Sequence, residues 1–137
     1  MKSVYVIEDS PVLLDLLTTF IETEYDGLVL IGSTDNGMVA MDQCLKLKPD
    51  LVIADIHLPE VSGLEILHLL KMKLPEAKII IFTGRTSSET LKIAQHGHAD
   101  GFVSKASGLG ELEKAIQSIQ EGKQYFSRDL FGTFMGQ

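Results

Sequence analysis

The sequence predicts an α/β fold in which five parallel strands alternate with five helices. Two observations predict it. Short runs rich in Val and Ile recur along the chain and are nearly continuous in their hydrophobicity, as in strands that are buried on both faces. The longer segments between them repeat their apolar residues at helical spacing. Because parallel neighbours need a crossover connection and helices provide one, the alternation indicates a parallel sheet covered on both faces.

The strands and helices are assigned in chain order. The predicted strands are Val4–Ile7, Leu28–Ile31, Leu51–Ala54, Ile79–Phe82 and Gly101–Val103. The first helix begins with Ser10 at its N-cap and Pro11 in its first turn. The middle helices are Met38–Leu47, Leu64–Met72 and Glu89–His96, and the last is marked by the stripe Leu109, Leu112, Ala115, Ile116 and Ile119. Right-handed crossovers favour a flavodoxin-like (βα)5 domain with strand order 2-1-3-4-5.

Composition excludes several classes of function. The chain has 137 residues, a length typical of one domain. Its net charge of −7 argues against the chain binding nucleic acid by itself. No apolar stretch approaches the roughly 20 residues of a membrane span, and no signal-peptide pattern is present. The single cysteine, Cys44, fits a reducing compartment. We therefore expect a cytoplasmic protein without membrane association.

Chemically useful side chains follow four of the five strands. They are Glu8 and Asp9 after the first strand, Asp55 after the third, Thr83 after the fourth and Lys105 after the fifth. Because the carboxyl ends of parallel strands meet at one edge, where such sheets bind ligands, we expect three carboxylates, a hydroxyl and an ammonium to converge. Each residue alone has a simpler interpretation as a helix cap, turn residue or surface charge, but their joint occurrence favours a site.

This combination of groups indicates phosphoryl chemistry. Close carboxylates repel one another, and a hard divalent cation relieves that repulsion. Mg2+ prefers oxygen ligands and typically uses one or two carboxylates together with a phosphate oxygen. A lysine then pairs with another phosphoryl oxygen, and a carboxylate is a known nucleophile that forms an aspartyl-phosphate.

The order and spacing of these motifs resemble the receiver domains of two-component response regulators. The similarity runs from Val4 to about Glu121. The matching elements are Glu8-Asp9, the run Pro49–Asp55, Leu58-Pro59, Gly63, the run Ile79–Thr83 and the run Gly101–Lys105. Any one of them is weak evidence, whereas all of them in the same order and at the same spacing are specific.

The resemblance implies that Asp55 is a phosphoacceptor and that a sensor histidine kinase donates the phosphoryl group. The transfer would depend on Mg2+. The receiver itself would catalyse both this transfer and its own dephosphorylation. This is a signalling role rather than that of a conventional enzyme. Asp9 and Asp55 would bind Mg2+ directly, Glu8 would assist through water, and the backbone carbonyl of His57 would complete the protein ligands.

The resemblance also implies roles for residues around the phosphoryl group. Thr83 and Lys105 would contact it, and Thr83 and Phe102 would switch the surface formed by helix 4, strand 5 and helix 5. Phe102 can equally be a plain core aromatic. His57 and Arg85 flank the expected path of the attacking water and are predicted to tune the lifetime of the adduct.

The last residues suggest a connection to another domain. We expect a receiver at 1–121 and a linker or tail at 122–137, because the pattern of Gly122, Tyr125 and Ser127 looks like the linker of NarL/LuxR-like transcription factors. That likeness implies transcriptional output and DNA contact only through an output domain absent from this chain. A homodimer through helix 4, strand 5 and helix 5, or through helices 1 and 5, is also implied.

Three alternatives stay open. A stand-alone receiver would act by docking to another protein. A phosphatase of the haloacid dehalogenase type would use the same groups, but it needs Asp-x-Asp after its first strand, which Glu8-Asp9-Ser10-Pro11 does not supply. A flavodoxin-like cofactor binder would need a hydroxyl- and glycine-rich loop there instead of acids.

Overall fold

The structure is a computed structural model and describes residues 1–25, 27–84 and 86–127. The strands are β1 (Ser3–Ile7), β2 (Val29–Thr34), β3 (Leu51–Ala54), β4 (Lys78–Thr83), β5 (Gly101–Ser104) and β6 (Tyr125–Phe126). The helices are α1 (Pro11–Glu24), α2 (Gly37–Leu47), α3 (Gly63–Lys73), α4 (Ser88–His96) and α5 (Gly108–Gln120), with a 3₁₀ turn at Lys105–Ser107. None of the helices in these ranges has the length and apolar character needed to cross a bilayer.

All six strands are parallel and lie in the order β2-β1-β3-β4-β5-β6. The predicted order 2-1-3-4-5 is confirmed, but the sheet has one strand more than predicted. Strand β6 pairs Tyr125 with Gly101 and Phe126 with Phe102. The sheet therefore extends past residue 121, into the segment predicted to be a linker or tail.

The sheet separates two apolar cores. One contains side chains of α2, α3 and α4, and the other contains side chains of α1 and α5. Strand β3 shows why the strands lack polar alternation: Leu51 and Ile53 enter the second core, Val52 and Ala54 enter the first, and all four are buried. A strand covered on both faces has no position for a polar side chain until it ends.

Polar side chains fix where four of the helices begin. The side chains of Ser10, Asn36, Ser62 and Ser87 each accept a hydrogen bond from a backbone N–H in the first turn of the helix that follows. Such a cap satisfies one of the N–H groups that a helix leaves unpaired. The predicted cap at Ser10 is confirmed, with Pro11 at the first helical position.

Gly63 allows α3 to begin against the end of β3. Its N–H donates to the carbonyl of Ile56 over 3.0 Å. A Cβ at this position would lie 2.0 Å from the carbonyl oxygen of Asp55, which is far inside van der Waals contact. Only glycine therefore permits this approach without moving the backbone that carries Asp55.

Asp50 joins β1 to β3 at the opposite, amino edge of the sheet. One of its carboxylate oxygens accepts the backbone N–H groups of Lys2 at 2.8 Å and Ser3 at 3.0 Å. The hydrogen bond from Lys2, followed by that from Ser3, holds the pKa of Asp50 below its ordinary value. The clamp fixes the register in which the first strand enters the sheet.

We expect Gly63→Ala to lower the free energy of unfolding by about 3 kcal/mol, because a methyl group there forces the Asp55 backbone aside. Urea unfolding followed by circular dichroism measures the change. Gly110→Ala is the matched control, since Gly110 lies within α5 with open space around its Cβ position. It should stabilise the protein by about 0.5 kcal/mol. Equal effects in the two variants would contradict the steric explanation.

Asp50→Asn should lower the free energy of unfolding by about 1 kcal/mol at pH 7, a modest value because the carboxylate is exposed. The folded-state pKa lies below the ordinary 3.8, so the carboxylate stabilises the fold above that pH. The contribution begins to fall near the ordinary pKa of 3.8 and disappears as pH falls through the lower folded-state pKa, where the two proteins should converge in stability. Urea unfolding across pH 2–7 tests this, with the exposed Asp42→Asn as control. A difference that grows as pH falls would contradict it.

Candidate functional site

The carboxyl edge of the sheet brings together two carboxylates and one ammonium. Lys105, which follows β5, places its Nζ 2.7 Å from Oδ2 of Asp55 and 3.0 Å from Oε1 of Glu8. Asp55 follows β3 and Glu8 follows β1. The predicted convergence of these three residues is observed. The third carboxylate expected here, that of Asp9, does not form a metal-holding group with Glu8 and Asp55 among the described residues.

Burial makes this cluster electrostatically strong. Glu8 is 1% exposed and Asp55 is 4% exposed, so each carboxylate depends on protein partners rather than on water. Burial alone would lower the pKa of Lys105, but its hydrogen bonds to Asp55 and Glu8 outweigh that effect and raise the pKa above its ordinary value. The lysine is therefore held charged between its two partners.

Each carboxylate is also aimed by the backbone of its own loop. The second oxygen of Glu8, Oε2, accepts the N–H of Ser10 at 2.9 Å. The second oxygen of Asp55, Oδ1, accepts the N–H of His57 at 3.3 Å. In both loops one oxygen contacts Lys105 and the other contacts the amide two residues further along, so both carboxylates have a defined orientation.

The hydroxyl and the aromatic residue predicted from the sequence lie on the adjoining strands. Thr83 ends β4, is fully buried and pairs in register with Ser104, the residue before Lys105. Phe102 is fully buried in the core that also contains Leu91 of α4. Thr83 thus lies next to the strand that carries the lysine, and Phe102 is a core residue whose role in switching stays a prediction.

Asp9 and His57 lie on the exposed side of the cluster. Both line an open recess of about 410 Å³ that is also lined by Pro59 and Ser62. The predicted role of the exposed His57 in tuning lifetime stays a prediction. Arg85, predicted to share that role, lies outside the described residues.

Mg2+ requires oxygen ligands, which this edge of the sheet offers as carboxylates. Among residues 1–25, 27–84 and 86–127, no three side chains of His, Cys, Asp or Glu are grouped so as to hold a metal. Glu8 and Asp55 instead flank Lys105, and Asp9 is exposed beside them. All three nevertheless supply carboxylate oxygens, and Mg2+ needs only one or two carboxylates with waters completing its shell. The donor set fits this ion.

Sequence reasoning missed the contact through which Ser127 reaches the end of β5. Ser127 is fully buried, and its hydroxyl accepts the N–H of Ser104 at 2.9 Å. The predicted linker pattern included Ser127, but it did not indicate that this side chain contacts the backbone of Ser104. The signal for a sixth strand was weak: it consists of two aromatic residues with high strand propensity, Tyr125 and Phe126, shortly after α5.

The model of the response regulator receiver domain family matches residues 4–117. A putative transcriptional regulator of Pseudomonas aeruginosa is 32% identical over 126 residues, which are 92% of this chain and 60% of that protein. The uncharacterized transcriptional regulatory protein YvfU of Bacillus subtilis is 33% identical over 135 residues, 98% of this chain and 67% of that protein.

The crystal structure of a LuxR-family two-component response regulator from Aurantimonas superposes with a TM-score of 0.91 at 25% identity, covering 98% of this chain and 95% of that one. The chain spans only 60% of the length of its Pseudomonas relative. The fold, the site at the sheet edge and the family match over most of the chain agree. This chain belongs to the response regulator receiver domain family.

Proposed function

We propose that this chain is a phosphoacceptor that receives a phosphoryl group on Asp55 from a sensor histidine kinase. The observation that carries the proposal is the contact of Lys105 with both Asp55 and Glu8 at the carboxyl edge of the sheet. In an open parallel sheet this edge is where ligands bind. A buried acid held there by a lysine is suited to phosphoryl transfer.

Asp55 would act as the nucleophile. One of its oxygens forms a bond to phosphorus, the bond from phosphorus to the donor nitrogen of the kinase histidine breaks, and the electron pair returns to that nitrogen. The His57 amide holds Oδ1 of Asp55, which restricts the orientation of the attacking group. The ammonium of Lys105 would weaken its hydrogen bond to Oδ2 of Asp55 and donate one to a phosphoryl oxygen. Its positive charge would then stabilise the negative charge of the group being transferred.

Glu8, Asp9 and Asp55 would hold Mg2+, with the backbone carbonyl of His57 as a further ligand. When bound, this ion offsets the negative charge of the phosphoryl group. The protein supplies the oxygen donors and the orientation: Glu8 is fixed through its Oε2 by the Ser10 amide, while Asp9 stays accessible to solvent.

Thr83 and Phe102 would pass the change to the surface of α4, β5 and α5. Thr83 is buried beside Ser104 at the sheet edge, and Phe102 is packed in the same core as Leu91 and Ala94 of α4. A new charge at Asp55 can bias such a packed element between two arrangements. The names of the relatives support an output in transcription, and a receiver that acts by docking is the alternative.

Asp55→Asn should abolish the phosphoryl adduct formed with acetyl phosphate and Mg2+, because the amide is not a nucleophile of comparable strength. Intact mass and peptide mapping measure the adduct, and circular dichroism verifies the fold. Asp42→Asn, an exposed change on α2, is the matched control and should be labelled like the parent chain. Labelling of Asp55→Asn to the parental extent at another residue would refute Asp55 as the acceptor.

Mg2+ should stabilise the fold by about 2.7 kcal/mol at a hundredfold excess over its dissociation constant, through simple linkage. Thermal unfolding with millimolar Mg2+ and with EDTA measures the effect. Asp9→Asn should remove most of it by deleting a charged donor, whereas Asp15→Asn, an exposed change on α1, should keep it. Identical melting temperatures with and without Mg2+ in the parent chain would show that these carboxylates do not form a magnesium site.

A further inference from the structure

Three hydrogen bonds tie the residues after α5 to the sheet, beside the pairing of β6 with β5. The N–H of Tyr125 donates to the carbonyl of Asp100 over 3.0 Å, and the N–H of Ser127 donates to the carbonyl of Phe102 over 2.9 Å. The third bond runs the other way, from the N–H of Ser104 to the side-chain Oγ of Ser127 over 2.9 Å. Ser127 is fully buried, so this last bond is shielded from water.

The third bond departs from the regular parallel pattern. Evenly spaced bonds between parallel strands would next use the main-chain carbonyl of Ser127 as the acceptor for Ser104. The hydroxyl of Ser127 takes that place and ends the ladder at the last residue of β5. A residue without a short side-chain oxygen would leave the Ser104 N–H without this acceptor.

The other two residues of the predicted linker pattern hold the same segment. Gly122 has φ +83°, a conformation that favours glycine and turns the chain after α5. The hydroxyl of Tyr125 donates to Oε1 of Glu111 on α5 over 2.6 Å. The pattern of Gly122, Tyr125 and Ser127 thus attaches residues 122–127 to α5 and β5.

Ser104 links this attachment to the lysine of the site. It lies between Thr83 on one side and Ser127 on the other. Its own hydroxyl accepts the N–H of Ala106 at 3.2 Å, so the backbone is held on both sides of Lys105. Lys105 must reach Asp55 and Glu8 at once, which makes the contacts of its ammonium sensitive to small displacements of this backbone.

We propose that the Ser127 hydroxyl is a positioning group for Lys105, so that residues 122–127 are a working part of the phosphoryl site rather than a passive connection. The inference rests on the proposed function and adds a residue from outside the predicted receiver boundary to it. Ser127 acts on Lys105 through Ser104 and has no direct contact with the reacting groups in this assignment.

The test compares the rate of labelling by acetyl phosphate and Mg2+ in the full 137-residue chain and its variants. Ser127→Ala should slow labelling on the order of tenfold, because Lys105 is no longer held in place. Ser3→Ala is the matched control: the hydroxyl of Ser3 also accepts a backbone N–H, that of Asp50 at 3.0 Å, but at the opposite edge of the sheet. It should leave the rate within about twofold, since remote sites act independently.

A double-mutant cycle separates positioning from general loss of structure. The Lys105→Met variant should still label slowly, and its residual labelling is followed over long incubations. If Ser127 acts through Lys105, adding Ser127→Ala to Lys105→Met should slow that labelling by less than about twofold. A purely structural role would slow labelling equally in both backgrounds.

Tyr125→Phe provides a second variant if Ser127→Ala fails to fold, as judged by circular dichroism. It removes one hydrogen bond that holds β6. It should slow labelling by about threefold, because Lys105 would be displaced less than in Ser127→Ala. Tyr25→Phe is its control, because the Tyr25 hydroxyl also contacts α5, donating to Gln120 at 2.9 Å, without touching β6. Equal rates for the two phenylalanine variants would overturn the proposal.

The outcomes distinguish the two proposals. Normal labelling of the parent chain with unchanged labelling of Ser127→Ala, or equal slowing in both Lys105 backgrounds, would overturn the positioning role alone. A parent chain that acetyl phosphate does not label on Asp55 would overturn the proposed function and this inference together.

Discussion

The burial of two carboxylates around one ammonium is the constraint on which the rest of this structure depends. Glu8 and Asp55 are almost wholly removed from water, and Lys105 contacts both. Removing one member of such a buried ionic group costs about 3–5 kcal/mol, because the remaining charge is left uncompensated. The cluster carries one more negative than positive charge, which makes its surroundings receptive to a cation.

Backbone packing determines how precisely that cluster is held. Asp55 lies between the N–H of His57, which contacts its carboxylate, and the α-carbon of Gly63, which lies against its carbonyl oxygen. On the far side, Ser104 is held by Thr83 in the neighbouring strand and by Ser127. The acid is therefore fixed by groups that follow it in the chain, whereas the lysine is fixed by groups from both earlier and later parts of the chain.

The sequence predicts most of the fold because the physical signal for it is local. Runs such as Leu51–Ala54 are typical of strands covered on both faces, and the acids that follow parallel strands are expected at one edge. The different environments of Glu8 and Asp9 were less predictable. Adjacent residues at a strand end point in different directions, and only the packed loop shows that Glu8 turns inward while Asp9 faces solvent.

Strand β6 was missed for a related reason. Two residues carry almost no periodic signal, and the bond between Ser104 and Ser127 joins positions far apart in the chain. The steric role of Gly63 was also hidden, because the sequence shows its spacing from Asp55 but not the 2.0 Å approach that excludes a side chain. Both are tertiary facts that follow from how the elements pack.

The two edges of the sheet use the same residue types for opposite purposes. At the amino edge, Asp100 accepts the backbone N–H of Ile79 at 2.9 Å and pairs with Lys71 at 2.7 Å, and Asp50 accepts two backbone N–H groups. Several of these donors belong to the main chain and cannot leave without unfolding a strand, so the acids lock the register. At the carboxyl edge, Oε1 of Glu8 and Oδ2 of Asp55 both contact one long, flexible side chain, that of Lys105. An ammonium can exchange one oxygen for another while the strands stay in place. This edge can therefore change partners without a loss of fold, which is the property that the proposed phosphoryl transfer requires.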